Sequence, residues 1–127
     1  MDTKYFEKIR IFDGGMGQEL LSKGLISKGT LWSASALIER EFHKLVIDAH
    51  ISYINAGADI IVTNNFSARK IRFIQNKVLD KFQYANEQAG ILANKAREIS
   101  KQNILIAGSL PSLSLIHISE PTRLTRI

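Results

Sequence analysis

Three short apolar runs, residues 8–12, 58–63 and 103–107, each stop at glycine or small polar residues, and long stretches of helical periodicity separate them. Runs of that length are too short for helices and suit strands. Lys8-Ile9-Arg10-Ile11-Phe12 alternates in polarity and breaks at Asp13-Gly14-Gly15. Ala58 to Thr63 is apolar after Asp59, as a strand covered on both faces is. Asn103 to Ala107 closes at Gly108-Ser109. The order is β, α, β, α, β, an α/β pattern whose connections place parallel strands side by side with right-handed crossovers. Element order does not choose between an open doubly wound sheet and a barrel. Either way the carboxyl ends of parallel strands share one rim, which makes Asp13, Thr63 and Asn64 neighbours facing whatever binds there.

The intervening segments read as helices with clear stops. Gly17 to Lys23 gives one or two turns with Leu20 and Leu21 apolar, Gly24 ends it, and Leu25 to Thr30 is loop. Ser33 is placed to cap a short helix through Glu39. From Arg40 to Ala56 a longer helix carries Phe42, Leu45, Val46, Ala49, Tyr53 and Ala56 on one face, and Gly57 stops it. Asn64 to Ser67 is a turn before a loosely amphipathic stretch through Asn76. Leu79 to Ser100 is the last helix, with Leu79, Phe82, Ala89, Leu92, Ala93, Ala96 and Ile99 on its buried side. His43 and His50 lie seven residues apart on one helix, about 10 Å along its axis, too far to ligate one ion together. Surface or supporting roles are expected of both.

Composition narrows the function classes. The chain has 127 residues, 45% hydrophobic and 23% charged, which is the size and balance of one globular domain. It has no cysteine, so disulfides, thiolate nucleophiles and thiolate-bound zinc have no residues here. The absence of a long apolar run or an apolar leader gives neither a membrane span nor a secretory signal, and a cytoplasmic location is expected. The formal charge of +5 is scattered, with Arg69-Lys70-Ile71-Arg72 as the one tight group, so neither nucleic acid nor membrane is expected as a partner.

Beyond Ser112 the text changes character. Leu113-Ser114-Leu115-Ile116-His117-Ile118-Ser119-Glu120-Pro121-Thr122-Arg123 has no periodicity that connects to what precedes it, and it resembles the in-frame translation of a transposon-type sequencing-library adaptor. Residues 113–127 are therefore expected to be a non-native tail on a partial domain, residues 1–112. Removing them takes away Arg123, Arg126 and Glu120, and the charge falls from +5 to +4. An adaptor joined in frame implies that the natural protein continues past Ser112.

Four segments carry a family resemblance. Asp13-Gly14-Gly15-Met16-Gly17-Gln18-Glu19-Leu20, then Leu31-Trp32-Ser33-Ala34, then the run from His50 to Phe66, then Ala107-Gly108-Ser109-Leu110-Pro111 resemble the opening of a homocysteine S-methyltransferase, in order and with natural spacing. The resemblance implies a truncated TIM-type (β/α)8 barrel holding about the first three β/α units. It also implies transfer of a methyl group from a sulfonium or ammonium donor, such as S-methylmethionine or S-adenosylmethionine, to the thiol of homocysteine, giving methionine.

On that basis Asp13 holds the substrate ammonium, Trp32 with Ser33 and Thr63 with Asn64 shape the pocket, and Gly14 and Gly15 let backbone approach it. The family's zinc is bound by three cysteines, none of which exists in this chain, so no catalytic residue and no metal ligand is expected here and the piece is expected to be inactive alone. Three strands of a barrel also leave raw edges, which favours aggregation or partial unfolding.

Other readings of the same residues stay open. Asp13-Gly14-Gly15 also suits a tight turn, and Gly14 to Gly17 also suits a phosphate cradle at the following helix. Trp32 also suits core packing, and Thr63 and Asn64 also suit capping. Asn65 and Ser67 read as turn residues. The rival functions are a non-catalytic α/β module that binds an amino acid or anion, and another parallel-barrel enzyme with a phosphate-bearing substrate.

Overall fold

A computed structural model describes residues 2–111. The elements are α1 (Met16–Ser22), α2 (Ser35–Ile38), α3 (His43–Asn55), β1 (Ile60–Val62), α4 (Lys70–Gln75), α5 (Phe82–Ser100) and β2 (Leu105–Ala107). Short 3-10 turns precede several helices, at Trp32–Ala34, Arg40–Phe42 and Leu79–Lys81. This is an α/β chain in which helix predominates. Among the described residues no helix is long and apolar enough to cross a membrane.

The sheet is small and parallel. β1 pairs with β2 in the register Ile60 to Leu105, Ile61 to Ile106 and Val62 to Ala107, and Phe12 makes a parallel bridge to Ile60 on the other side. β1 is thus central.

The expected first strand over residues 8–12 shortens to that bridge. Its Ile11 carbonyl accepts from the Asp59 and Ile60 N–H groups, and the Asp13 N–H donates to the Ile60 carbonyl. The Ile11 N–H, however, donates to the Asp59 carboxylate at 2.9 Å. A side chain there replaces a backbone acceptor and interrupts a regular ladder. The segment stays outside the core, with Ile9 93% and Phe12 53% exposed.

Two apolar clusters position the sheet. One joins Leu20 of α1, Leu37 of α2, Val46 and Ala49 of α3, Phe73 of α4, and Ala85, Ala89 and Leu92 of α5. The other seats Ile54 of α3 and Ala93 and Ala96 of α5 against Ile61 and Ile104 at the sheet. The buried face of α5 is largely alanine, and small side chains let α3 approach it closely.

Several expectations shift by a turn or a face. Leu79 and Ile99 are exposed rather than buried, because the 3-10 turn at Leu79 precedes the helix and Ile99 sits in its last turn. In α3 the buried stripe is Val46, His50 and Ile54, at four-residue spacing, with Ala49 beside it. Phe42 precedes this helix, and Ala56 is exposed just after it. Ser33 does not cap α2 but lies inside the preceding 3-10 turn, where its hydroxyl is used elsewhere. His43 takes the supporting role expected of it: its Nε2 lies 2.8 Å from the Leu37 carbonyl and its ring stacks on Tyr84 at 6.2 Å.

Candidate functional site

The segment after Phe12 and the residues after β1 and β2 emerge on one rim and enclose a cavity of about 300 Å³. Six of the residues singled out from sequence line it: Asp13, Gly14, Trp32, Ser33, Thr63 and Asn64. Met16, Gly17, Phe66, Ser67 and Ser109 complete the walls with Val62. Gly15 lies outside the lining, and its carbonyl accepts from the Tyr53 hydroxyl at 2.9 Å.

Asp13 is half-buried, and its Oδ2 accepts from the Val62 N–H at 3.0 Å. Burial pushes its carboxyl above the ordinary carboxylate range, and hydrogen bonds from backbone N–H groups, chiefly that of Val62, oppose the rise without cancelling it. Such a group gains most from a cationic partner, which removes the cost of holding its charge away from water. Tyr53 stands on the other side of the same loop. Its phenol is pushed up by burial and then by the nearby carboxylates of Glu19 and Asp13.

Two glycines are explained by close approach. A Cβ on Gly14 would come within 3.0 Å of the Tyr53 ring, and one on Gly17 would overlap the Trp32 indole. Trp32 itself has φ of 54°, a left-handed conformation that costs a non-glycine residue on the order of 1–2 kcal/mol. Strain of this kind collects where a side chain is aimed at a ligand. The indole is 41% exposed on the cavity wall, so core packing does not account for it.

The remaining polar residues are engaged with one another. The Thr63 hydroxyl donates to Asn65 Oδ1 at 2.7 Å and accepts from the Ser109 N–H at 3.0 Å, tying the end of β1 to the end of β2. Asn64 Nδ2 donates to the Ser33 carbonyl at 3.2 Å. The Ser33 and Ser67 hydroxyls share a hydrogen bond at 3.0 Å, and Ser67 Oγ also accepts from the Ala34 N–H. Thr63, Asn64 and Ser33 therefore hold the cavity's shape. Asp13 and Trp32 offer it chemistry.

Sequence reasoning gave Asn65 and Ser67 too little. Asn65 Nδ2 donates to Asn86 Oδ1 at 3.1 Å and to the Ser109 carbonyl at 3.2 Å, while Asn86 in turn donates to the Ala68 and Phe82 carbonyls. The signal was present as an uninterrupted polar run directly after an apolar strand, where buried polar groups must find partners. Among the described residues no three of His, Cys, Asp and Glu lie close enough together to hold a metal ion. These residues therefore do not fit the metal that the family resemblance implies, and no reaction step is assigned through one.

Comparison with known proteins points to one family. The sequence pattern of the family described as homocysteine S-methyltransferase matches residues 10–125. Homocysteine S-methyltransferase of Escherichia coli is 32% identical over 115 residues, a match covering 82% of this chain and 35% of that protein. Homocysteine S-methyltransferase 1 of Zea mays is 38% identical over 64 residues, covering 50% of this chain and 19% of that protein. The crystal structure of the homocysteine methyltransferase MmuM from Escherichia coli, in its metallated form, superposes with a TM-score of 0.74 at 26% identity. That superposition covers 94% of this chain and 43% of MmuM. The chain thus spans about a fifth to a third of these curated relatives. On the match of most of its length to the family pattern, the chain belongs to the homocysteine S-methyltransferase family.

Proposed function

We propose that this chain is the amino-terminal, amino-acid-binding portion of a homocysteine S-methyltransferase, carrying about the first three units of a (β/α)8 barrel. The reaction moves a methyl group from a sulfonium donor, S-methylmethionine or S-adenosylmethionine, or from an ammonium donor, to the homocysteine sulfur. The thiol loses its proton, the new S–CH3 bond forms as the donor's bond breaks, and the donor leaves as a neutral thioether or amine. Zinc belongs to this proposal only with cysteines that this chain does not carry. The setting proposed is cytoplasmic methionine synthesis.

The observation that carries the reading is Asp13. Its carboxylate is held half-buried on the cavity wall by the Val62 N–H, beside a strained and exposed Trp32. That pairing suits the ammonium of an amino acid. Thr63, Asn64 and Ser33 keep the walls in place, and Gly14 admits Tyr53 behind the loop. The exposed apolar segment at Ile9 to Phe12 supports the partial-barrel reading, because a closed barrel would cover it.

Trp32 is the chain's single tryptophan, so its emission reports the cavity directly. Titration with homocysteine is expected to change that emission, and Asp13→Asn to weaken the response by about tenfold or more, the worth of one charge-assisted hydrogen bond. A response to homocysteine that Asp13→Asn leaves unchanged, or no response at all, overturns the assignment. The proposal also holds that residues 113–127 are adaptor-derived. Resequencing across Ser112 tests this, and a natural reading frame through those residues refutes it.

A further inference from the structure

A second chamber of about 370 Å³ adjoins the first and shares Trp32, Phe66 and Ser67 with it as lining residues. Its other walls are Gly29, Thr30, Arg69 and Arg72. No acidic side chain lines it, and among the described residues neither arginine has a salt-bridge partner. The Nε–H groups of both Arg69 and Arg72 are buried and find no acceptor among the described residues. Buried donors are nearly always paired, and these two guanidiniums line one chamber with no acidic side chain among its lining residues. Arg72 is also anchored, its guanidinium donating to the Thr30 carbonyl at 2.6 Å. An anchored arginine that lines the same chamber as one with no side-chain partner among the described residues offers donors to an acceptor with two oxygens.

We propose that this chamber is a carboxylate subsite, in which Arg69 and Arg72 bind the carboxylate of an amino-acid substrate beside the Asp13 cavity, with which it shares Trp32, Phe66 and Ser67. The inference rests on the homocysteine reading for the identity of the substrates, and on the arginine pair alone for the chemistry. Two sources can supply the carboxylate: homocysteine itself, or an amino-acid methyl donor bound next to it.

Four probes distinguish the sources when the full chain is titrated and Trp32 emission is followed: homocysteine, homocysteine methyl ester, S-methylmethionine and S-methylmethionine methyl ester. Esterification removes the anion and leaves the ammonium. The expected result is that one of the two acids binds at least about tenfold more tightly than its ester, and that this acid names the occupant. Arg69→Gln is expected to abolish the preference for the acid, and Arg69→Lys to restore part of it, because a point charge replaces the fork. Acid and ester binding equally in the unaltered chain overturns the proposal without needing any variant. So does an acid preference that survives Arg69→Gln. The two readings fail separately. Homocysteine binding that depends on Asp13 with no acid preference sinks the subsite and spares the substrate assignment. Acid preference through Arg69 with no homocysteine binding does the reverse.

Discussion

His50 sits on α3 between Val46 and Ile54, fully buried, and neither ring nitrogen has a hydrogen-bond partner among the described residues. Burial lowers its pKa from 6.5 to about 4, because a charged imidazolium would lose its hydration with nothing to replace it. The neutral ring is the form the fold accepts. Stability linked to His50 is therefore complete above pH 6.5. It declines as pH falls from 6.5 toward 4, where the unfolded chain binds a proton and the folded chain does not. Each pH unit in that window is worth about 1.4 kcal/mol, so a fall from pH 7 to pH 5 costs about 2 kcal/mol from this residue. Against a typical total of about 5–15 kcal/mol that is a large share.

The variant His50→Leu places an apolar side chain at the position and removes the titration. Urea unfolding of both proteins, followed by far-ultraviolet circular dichroism at pH 7 and pH 5, isolates the term, because every other titrating group is common to both. The unaltered chain is expected to lose about 1 M more in midpoint than His50→Leu over that interval, given a urea dependence of about 1–3 kcal/mol/M. Equal losses in the two proteins would refute the argument that burial alone sets this imidazole's titration.

Asp13→Asn is expected to raise the melting temperature of the unliganded chain while weakening the response to homocysteine, because burial disfavours the charge that the ligand needs. Its folded pKa is raised, so removing the charge relieves a cost present above the unfolded carboxylate value. A lowered melting temperature in a differential scanning experiment would contradict that sign. Gly17→Ala forces the indole of Trp32 from its place, at a cost of about 1–3 kcal/mol, and is expected to alter the Trp32 emission maximum before any ligand is added. An unchanged spectrum and midpoint would show that the packing of Gly17 against Trp32 does not matter. Thr63→Val removes both hydroxyl hydrogen bonds and leaves the Ser109 N–H without its acceptor, for a loss of about 1–3 kcal/mol in urea unfolding. Thr63→Ser retains both bonds and is expected to behave nearly as the unaltered chain does.

The rim was legible because strand ends in a β/α order must meet. Asp13, Thr63 and Asn64 needed only short apolar runs and the residues that stop them. Periodicity found the long helices and misplaced their edges, since a 3-10 turn and an α-helix share apolar spacing at a helix start, as at Leu79 and Phe42. Partnerships between distant side chains were not legible. Nothing in the local text announces that Asp59 receives the Ile11 N–H, or that Ser33 meets Ser67 across 34 positions. The left-handed backbone of Trp32 was likewise hidden, because tryptophan's own preferences do not favour it.

The amide relay from Asn65 through Asn86 to the carbonyls of Ala68 and Phe82 fastens the segment that follows β1, which carries the cavity residues Asn64 and Phe66, to the start of the longest helix. A guest entering such a recess meets walls already set and need not organise them, so little conformational entropy is lost on capture. Discrimination then falls to how quickly a poorly matched guest departs rather than to a slow closing motion, and the arrival rate should be nearly indifferent to which small molecule is offered.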